Sequence, residues 1–344
     1  MKVFITGGGG FLGSAICKRL TDRRHSIVSF SRTHYPHLEP LGIDQRKGSI
    51  ADLDAVVCAA RGCDVMIHSA ARTGVWGDAD RFYTVNVVGT ENCVAACREN
   101  GIRALVYTSS PSAVFSGGDM EGVDESVPYA EKQWAAYPRT KAMAEKIVRN
   151  ANSAHLATIA LRPHLIWGPG DPHLVRRIVD RGRRGKLRRI GTAVKRIDSV
   201  YVDNAAEAHV LALEQLNPLA ACAGKAYFIT NGEPLPVWDL VNRILRCAGL
   251  PPVTRTVSPW MAMRLAGALE WLYRTVNSES EPILTRFVVK ELSTSHWFDI
   301  SAARNDLGYH PAVSIDEGLN RLHAWFLRGG YSGMERPETS AITP

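Results

Sequence analysis

Short apolar, β-branched runs alternate with helical patterns through the first half of the chain. "KVFIT" precedes "GSAICKRLTDR", "SIVSFS" precedes "DLDAVVCAARG", and "DVMIHSA" precedes "TVNVVGTENCVAACRENG". "ALVYTSS", a helical pattern over 137–150 and "LATIALRP" complete the series. Strands buried on both faces and joined by helices predict an α/β fold with a doubly wound parallel sheet. After about residue 163 the regularity breaks at "WGPGDPH". We therefore expect a large domain over 1–163 and a smaller region over 164–330. Within the latter, "DSVYVDNAAEAHVLALEQL" and "KAYFITNG" are expected to return to the large sheet. Residues 331–344 lack a periodic apolar pattern and read as a flexible tail.

The glycines of "TGGGGFLG" give the first strand-to-helix turn its chemistry. Gly7, Gly10 and Gly13 permit a tight turn and let backbone N–H groups approach a diphosphate, with Phe11 and Leu12 opening the helix behind them. Their spacing is GxxGxxG, a partial match to the Rossmann dinucleotide fingerprint in the required strand–turn–helix context. The second strand ends in Ser31 and Arg32 where an NAD-selecting site often has an acid. A hydroxyl and a guanidinium suit a 2′-phosphate, so NADP(H) is the expected cofactor. Residues 1–163 are then mainly an NADP-binding domain, and 164–330 mainly a substrate-binding region. Three further stretches face the same crevice: the strand end "HSAA" with Ala70 and Ala71, "TVNVVGT" with Asn86, Gly89 and Thr90 on a following helix, and the strand end "YTSSPSAVF" with its crowded serines.

The ordered set "TGGGGFLG", "HSAA", "VNVVGT", "YTSS", "YPRTK", "LRPHLIWGPGD" and "YVDNAAEAH" resembles the extended short-chain dehydrogenase/reductase family. It is most similar to the branch holding 3-beta-hydroxysteroid and sterol-4-alpha-carboxylate dehydrogenases, and within it to bacterial reductases of 2-alkyl-3-oxoalkanoates. The resemblance implies that Tyr137 donates the proton to a ketone and that Lys141, one turn on, binds the nicotinamide ribose and favours the tyrosinate. It also implies that Ser110 holds the substrate oxygen, ahead of Ser109 and Ser112, and that Asn86 binds or orients near the cofactor. Ser49 stands where the family usually has an aspartate near adenine, which implies an adenine contact that is either weaker or made mainly by the Ile50 backbone. Pro163 completes the cofactor-binding set, and Ser112 and Trp76 are expected on the substrate side. The implied reaction is NADPH-dependent reduction of a long-chain 2-alkyl-3-oxoalkanoate to the 2-alkyl-3-hydroxyalkanoate in olefin biosynthesis. Oxidation of 3-beta-hydroxysteroids or sterol carboxylates is the alternative enzyme reading, and a dinucleotide-sensing scaffold the non-enzymatic one.

Composition changes this picture little: 344 residues with 45% hydrophobic and 22% charged content are ordinary for a globular protein. The formal charge of +7 gathers in "VRRIVDRGRRGKLRRIGTAVKR". No recognition-helix motif or aromatic platform accompanies it, so nucleic acid is not an expected partner. A fatty carboxylate, an anionic coenzyme carrier, a membrane surface or plain solvent all suit it. "SPWMAMRLAGALEWLYRTV" carries Trp260, Leu265, Leu269 and Leu272 at helical spacing, which suits a channel cap, a membrane interface or domain packing. His68, His164 and His173 form no metal-ligand pattern, and no GxSxG elbow supports a hydrolase. Seven scattered cysteines without a CxxC pair, and a start that runs straight into a strand, fit a reducing, cytoplasmic setting with peripheral membrane contact compatible. A homodimer or an assembly with pathway enzymes is equally compatible.

Overall fold

The computed structural model describes residues 1–276, 278 and 280–333. Seven parallel strands form the large sheet: β1 (Lys2–Thr6), β2 (Ser26–Ser31), β3 (Asp44–Lys47), β4 (Val65–His68), β5 (Ala104–Thr108), β6 (Ala157–Pro163) and β7 (Ala226–Ile229). Their spatial order is β3-β2-β1-β4-β5-β6-β7. The order reverses between β1 and β4, and ligands of open parallel sheets bind in the crevice beyond the strand ends at such a switch.

Both faces of the sheet are covered, as the unbroken apolar runs require. Val3, Ile5, Val106 and Ile159 pack with Ile16 and Leu20 of α1 (Phe11–Asp22) and with residues of a later helix described below. Phe4, Met66 and Leu105 project the other way, because successive strand residues alternate. They meet Val56 of α2 (Leu53–Ala60), Cys93 and Val94 of α3 (Gly89–Glu99) and Ala144 of α4 (Ala136–Asn150). β3 reads "DQRK" and is polar, which its place at the sheet edge permits.

The remaining elements sit mostly over the strand ends. They include α5 (Leu174–Arg183), α6 (Val202–Gln215), α7 (Val237–Cys247), α8 (Pro259–Thr275) and α9 (Arg286–Ser293). α6 is the exception: Ala205, Ala208 and Leu213 belong to the large-sheet core on the α1 face. "KAYFITNG" supplies β7, while Val200–Tyr201 pairs with Ile166–Trp167 outside the large sheet. A second core of Trp167, Val179, Trp238, Ile244 and Leu319 fills the smaller lobe. A four-stranded sheet joins Met120–Val123, Arg196–Ile197, Leu235–Pro236 and His296–Phe298. Of the expected tail over 331–344, Tyr331 is packed: its ring lies 4.8 Å from that of Trp325, and its hydroxyl donates to the Asp171 carbonyl at 2.5 Å. Residues 334–344 lie outside the described residues. No helix among the described residues is long and apolar enough to cross a membrane.

Candidate active site

One cavity of about 600 Å³ runs from the glycine turn to the smaller lobe. Gly7, Gly10, Phe11, Leu12, Gly13, Ser31, Arg32, Ser49, Ile50, Ala70, Ala71, Ser110, Ser112, Tyr137, Lys141 and Pro163 all line it. Of the residues expected at the crevice, Asn86, Gly89, Thr90 and Trp76 do not line it.

The glycine turn is built for close approach. Gly7 has φ +74°, and a Cβ there would lie 2.9 Å from the Ala70 backbone. A Cβ at Gly13 would lie 2.1 Å from the Gly7 carbonyl oxygen, so only glycine lets α1 leave β1 this tightly. Gly10 caps α1 with no side-chain partner, which leaves the helix's first N–H groups to a ligand. Arg32 is exposed at the rim and forms no ion pair among the described residues. These features fit a dinucleotide diphosphate with an anionic group near Arg32. Ser49 accepts the Ala51 N–H at 3.2 Å, and the Ile50 carbonyl accepts the Asn92 amide at 2.9 Å.

Beside the turn, polar groups lock the loop after β4. Ala70 N–H donates to Thr6 Oγ1, which faces His68 Nδ1 at 2.7 Å, and His68 Nε2 faces Thr90 Oγ1 at 3.0 Å. Thr90 donates onward to the Asn86 carbonyl at 2.6 Å. Burial pushes the His68 pKa down to about 3, so the ring stays neutral in this chain. Asn86 is buried behind the cavity wall: its Oδ1 accepts Arg72 N–H at 2.7 Å, and its Nδ2 donates to the Arg72 carbonyl and to Thr140 Oγ1. Its amide joins the loop after β4 to α4 behind the cavity wall.

α4 carries Tyr137 and Lys141, the pair expected to be reactive. Its first turn tolerates Pro138, whose missing N–H would have had no intrahelical acceptor. Tyr137, Lys141 and Glu145 then recur every four residues along one face. Lys141 is buried, donates to the Thr108 carbonyl at 2.5 Å and sits 4.3 Å from the centre of the Tyr107 ring. Burial pulls its pKa down to about 7, opposed by the Glu145 charge. Burial pushes the Tyr137 phenol up to about 12; the Ser110 hydroxyl beside it works the other way, and the Glu291 carboxylate adds to the rise. Thr108 is itself held, its Oγ1 2.8 Å from His209 Nε2 while His209 Nδ1 donates to the Ala205 carbonyl.

The crowded serines separate cleanly. Ser109 turns back into the protein and donates to Glu145 Oε2 at 2.5 Å. Ser110, next in an extended backbone, projects to the opposite side and into the cavity, where Ser112 donates to its Oγ at 2.9 Å. Burial alone would raise the Glu145 pKa. Arg162, bonded at 2.6 and 3.0 Å, together with Ser109 and Tyr129, holds it below the usual carboxylate range.

Trp76 does not line the cavity. Its Nε1 donates to the Ser278 carbonyl at 3.0 Å, and its ring meets Tyr273 edge-on at 6.2 Å. It fastens the loop after β4 to the segment just after α8.

Sequence reasoning missed the far wall. Phe115, Leu165, Leu174, Phe287 and Phe298 give it an apolar lining, and Arg177, Glu291 and His296 add charge and polarity. Arg177 pairs with Glu281 at 2.7 Å. Burial raises the Glu291 pKa to about 7, with Arg177 opposing. His164, noticed earlier only as no metal ligand, faces Asp198 at 2.6 Å and His296 Nδ1 at 3.1 Å. Among the described residues, no group of three or more His, Cys, Asp or Glu side chains is placed to hold a metal ion.

The chain is similar to known proteins over most of its length. The family model of the 3-beta hydroxysteroid dehydrogenase/isomerase family matches residues 4–259. The chain is 49% identical over 326 residues to a 2-alkyl-3-oxoalkanoate reductase of Stenotrophomonas maltophilia, covering 94% of this chain and 99% of that one. It is 34% identical over 325 residues to the decarboxylating sterol-4-alpha-carboxylate 3-dehydrogenase of Mus musculus, covering 93% and 89%. Among solved structures it superposes on that of gox2253 with a TM-score of 0.77 at 27% identity, over 95% of this chain and 98% of the other.

Proposed function

The chain belongs to the 3-beta hydroxysteroid dehydrogenase/isomerase family, within the extended short-chain dehydrogenase/reductases, and is an NAD(P)-dependent oxidoreductase acting on a hydroxyl/ketone pair. From that premise we propose that it uses NADPH to reduce a long-chain 2-alkyl-3-oxo acid to the 2-alkyl-3-hydroxy acid, the reduction expected in olefin biosynthesis. The observation that carries this reading is the position of Ser110, Tyr137 and Lys141 in the cavity wall, which runs from the glycine turn to an aromatic, apolar end.

The bound nicotinamide would supply the hydride to the carbonyl carbon. The Ser110 hydroxyl holds the carbonyl oxygen, and Tyr137 gives it the proton. A phenol held near 12 is almost wholly protonated at neutral pH, the form a proton donor to a ketone needs. Lys141 sits one turn behind, its charge in balance near pH 7, where it stabilises the tyrosinate left after transfer. The hydrocarbon arms meet Phe115, Leu165, Leu174, Phe287 and Phe298, each buried CH₂ contributing about 0.8 kcal/mol. On the far wall Arg177, which also pairs with Glu281, is a cation that suits the acid group.

Ser31 and Arg32 support NADPH over NADH, since neither repels a 2′-phosphate and Arg32 is free to bind one. A product-resolved turnover panel with NADPH tests the substrate. Long 2-alkyl-3-oxo acids should give the 3-hydroxy acids far faster than short ketones or 3-ketosteroids do their alcohols. Efficient reduction of steroids with no turnover of the long acids would overturn the substrate and leave the oxidoreductase in place.

A further inference from the structure

Helix α8 has its size pattern reversed. Its buried positions are Ala262, Ala266 and Glu270, spaced one turn apart. Its large apolar side chains face outward: Trp260 and Trp271 are 66% and 67% exposed, Met261 and Leu265 59% and 52%, and Leu272 is exposed beside them. A contiguous apolar patch of this kind marks an interaction surface. The helix is firmly seated, so the outward face is not a loose packing. Glu270 accepts the Arg286 N–H and Nε–H, both at 2.7 Å, and Trp76 bonds the loop just after the helix.

The rim of this face is basic. Thr256–Val257, just before α8, pairs in parallel with Arg189–Ile190, and a Cβ at Gly191 would lie 3.2 Å from Pro259. The arginine-rich segment therefore lies against the start of α8. Residues 181–189 carry six cations and no acid. Arg183, Arg184 and Lys186 are exposed and form no ion pair among the described residues. Arg264 on α8 itself lies 5.1 Å from the Trp260 ring centre.

We propose that α8 and the 181–191 segment dock the protein on an anionic lipid bilayer, with the tryptophans and leucines in the interface and the cations on the headgroups. Charge selects this occupant. A second copy of the chain would bring the same basic segment against itself, whereas anionic headgroups compensate it. Tryptophan and arginine side together on an amphipathic helix also match the lipid–water boundary, where an apolar body and a polar tip are both satisfied. α8 packs on α9, whose Phe287 and Glu291 line the cavity, so docking would hold the cavity one helix layer from the lipid. The inference goes beyond the substrate reading and does not depend on it.

Co-sedimentation of the full chain with vesicles tests the proposal without any substrate. The protein should pellet with phosphatidylcholine vesicles containing phosphatidylglycerol, less with rising salt, and weakly with phosphatidylcholine alone. Replacing both tryptophans (Trp260→Ser with Trp271→Ser), or both arginines (Arg183→Ser with Arg184→Ser), should each lower the vesicle affinity by about tenfold or more. Thermal melts should match the unmodified protein, because these side chains are exposed. Failure to pellet with anionic vesicles, equal binding to both vesicle types, or undiminished binding of both variants overturns it. So does light scattering that finds a dimer which the tryptophan substitutions dissociate, because the face would then be a self-interface.

Discussion

At the scale of single residues, the site turns on groups whose ordinary protonation the fold has shifted. Lys141 and Glu291 are both brought to about 7, from opposite sides and by the same cause, burial. As pH rises through 7, Lys141 loses its positive charge and Glu291 gains a negative one. Both changes disfavour an acidic substrate, so kcat/KM for a 2-alkyl-3-oxo acid should fall over that interval. Arg177, from α5, and Tyr137, from α4, are the charged and titratable neighbours that feel the change at Glu291. Glu291→Gln should make the fall shallower, mainly through KM, and leave a neutral ketone less affected. An unchanged slope in pH profiles of that variant would put the titration on Lys141 alone. Cofactor choice is an equally local matter. Arg32→Asp should weaken NADPH binding by roughly 10–100-fold, the equivalent of a charge-assisted hydrogen bond worth about 1.5–3 kcal/mol, with little effect on NADH. Equal losses for both nucleotides, read by fluorescence titration, would remove Arg32 from phosphate selection.

At the scale of elements, α4 does two jobs with one face: Tyr137 and Lys141 reach the cavity while Glu145 anchors the helix to β6 through Arg162. Both partners of that ion pair are buried, and Tyr129 and Ser109 complete the carboxylate's bonds. Glu145→Ala would strand the Arg162 charge and should cost about 3–5 kcal/mol in urea unfolding. A loss below about 1 kcal/mol would show that water or rearrangement compensates the guanidinium. α4 could be read from "YPRTK" because its chemistry is concentrated in one turn and its helical period is plain. The four-stranded sheet could not: its strands are two to four residues long and come from widely separated positions, too short for any period to show. Phe298 and His296 enter the cavity on that sheet, which is why the far wall stayed invisible. For α8, the apolar spacing of Trp260, Leu265 and Leu272 was visible in the sequence, but spacing alone does not say whether a stripe faces the core or solvent. The two-sided pattern, small residues against large, is resolved only by packing.

At the scale of the whole molecule, most of the cofactor side was legible because parallel-sheet topology leaves little choice. The glycine turn follows β1, Ala70 and Ala71 follow β4, Ser110 follows β5 and Pro163 ends β6, so chain order alone sends them to one edge. Asn86 and Trp76 escaped this logic: each lies on a connection whose side chains face inward or sideways, and their hydrogen bonds decide the direction. The same edge makes the proposal testable as a unit, since the carbonyl proposed to take the hydride is the one Tyr137 is proposed to protonate. The direct measurement is single-turnover reduction of a long 2-alkyl-3-oxo acid by NADPH carrying deuterium at both C4 positions of the nicotinamide, with the unmodified protein and Tyr137→Phe compared at saturating cofactor. The unmodified protein should place deuterium on C3 of the 3-hydroxy acid, and Tyr137→Phe should still bind NADPH yet react about 10²–10⁴-fold more slowly. Near-normal reaction of Tyr137→Phe, or a product without the label, would contradict it.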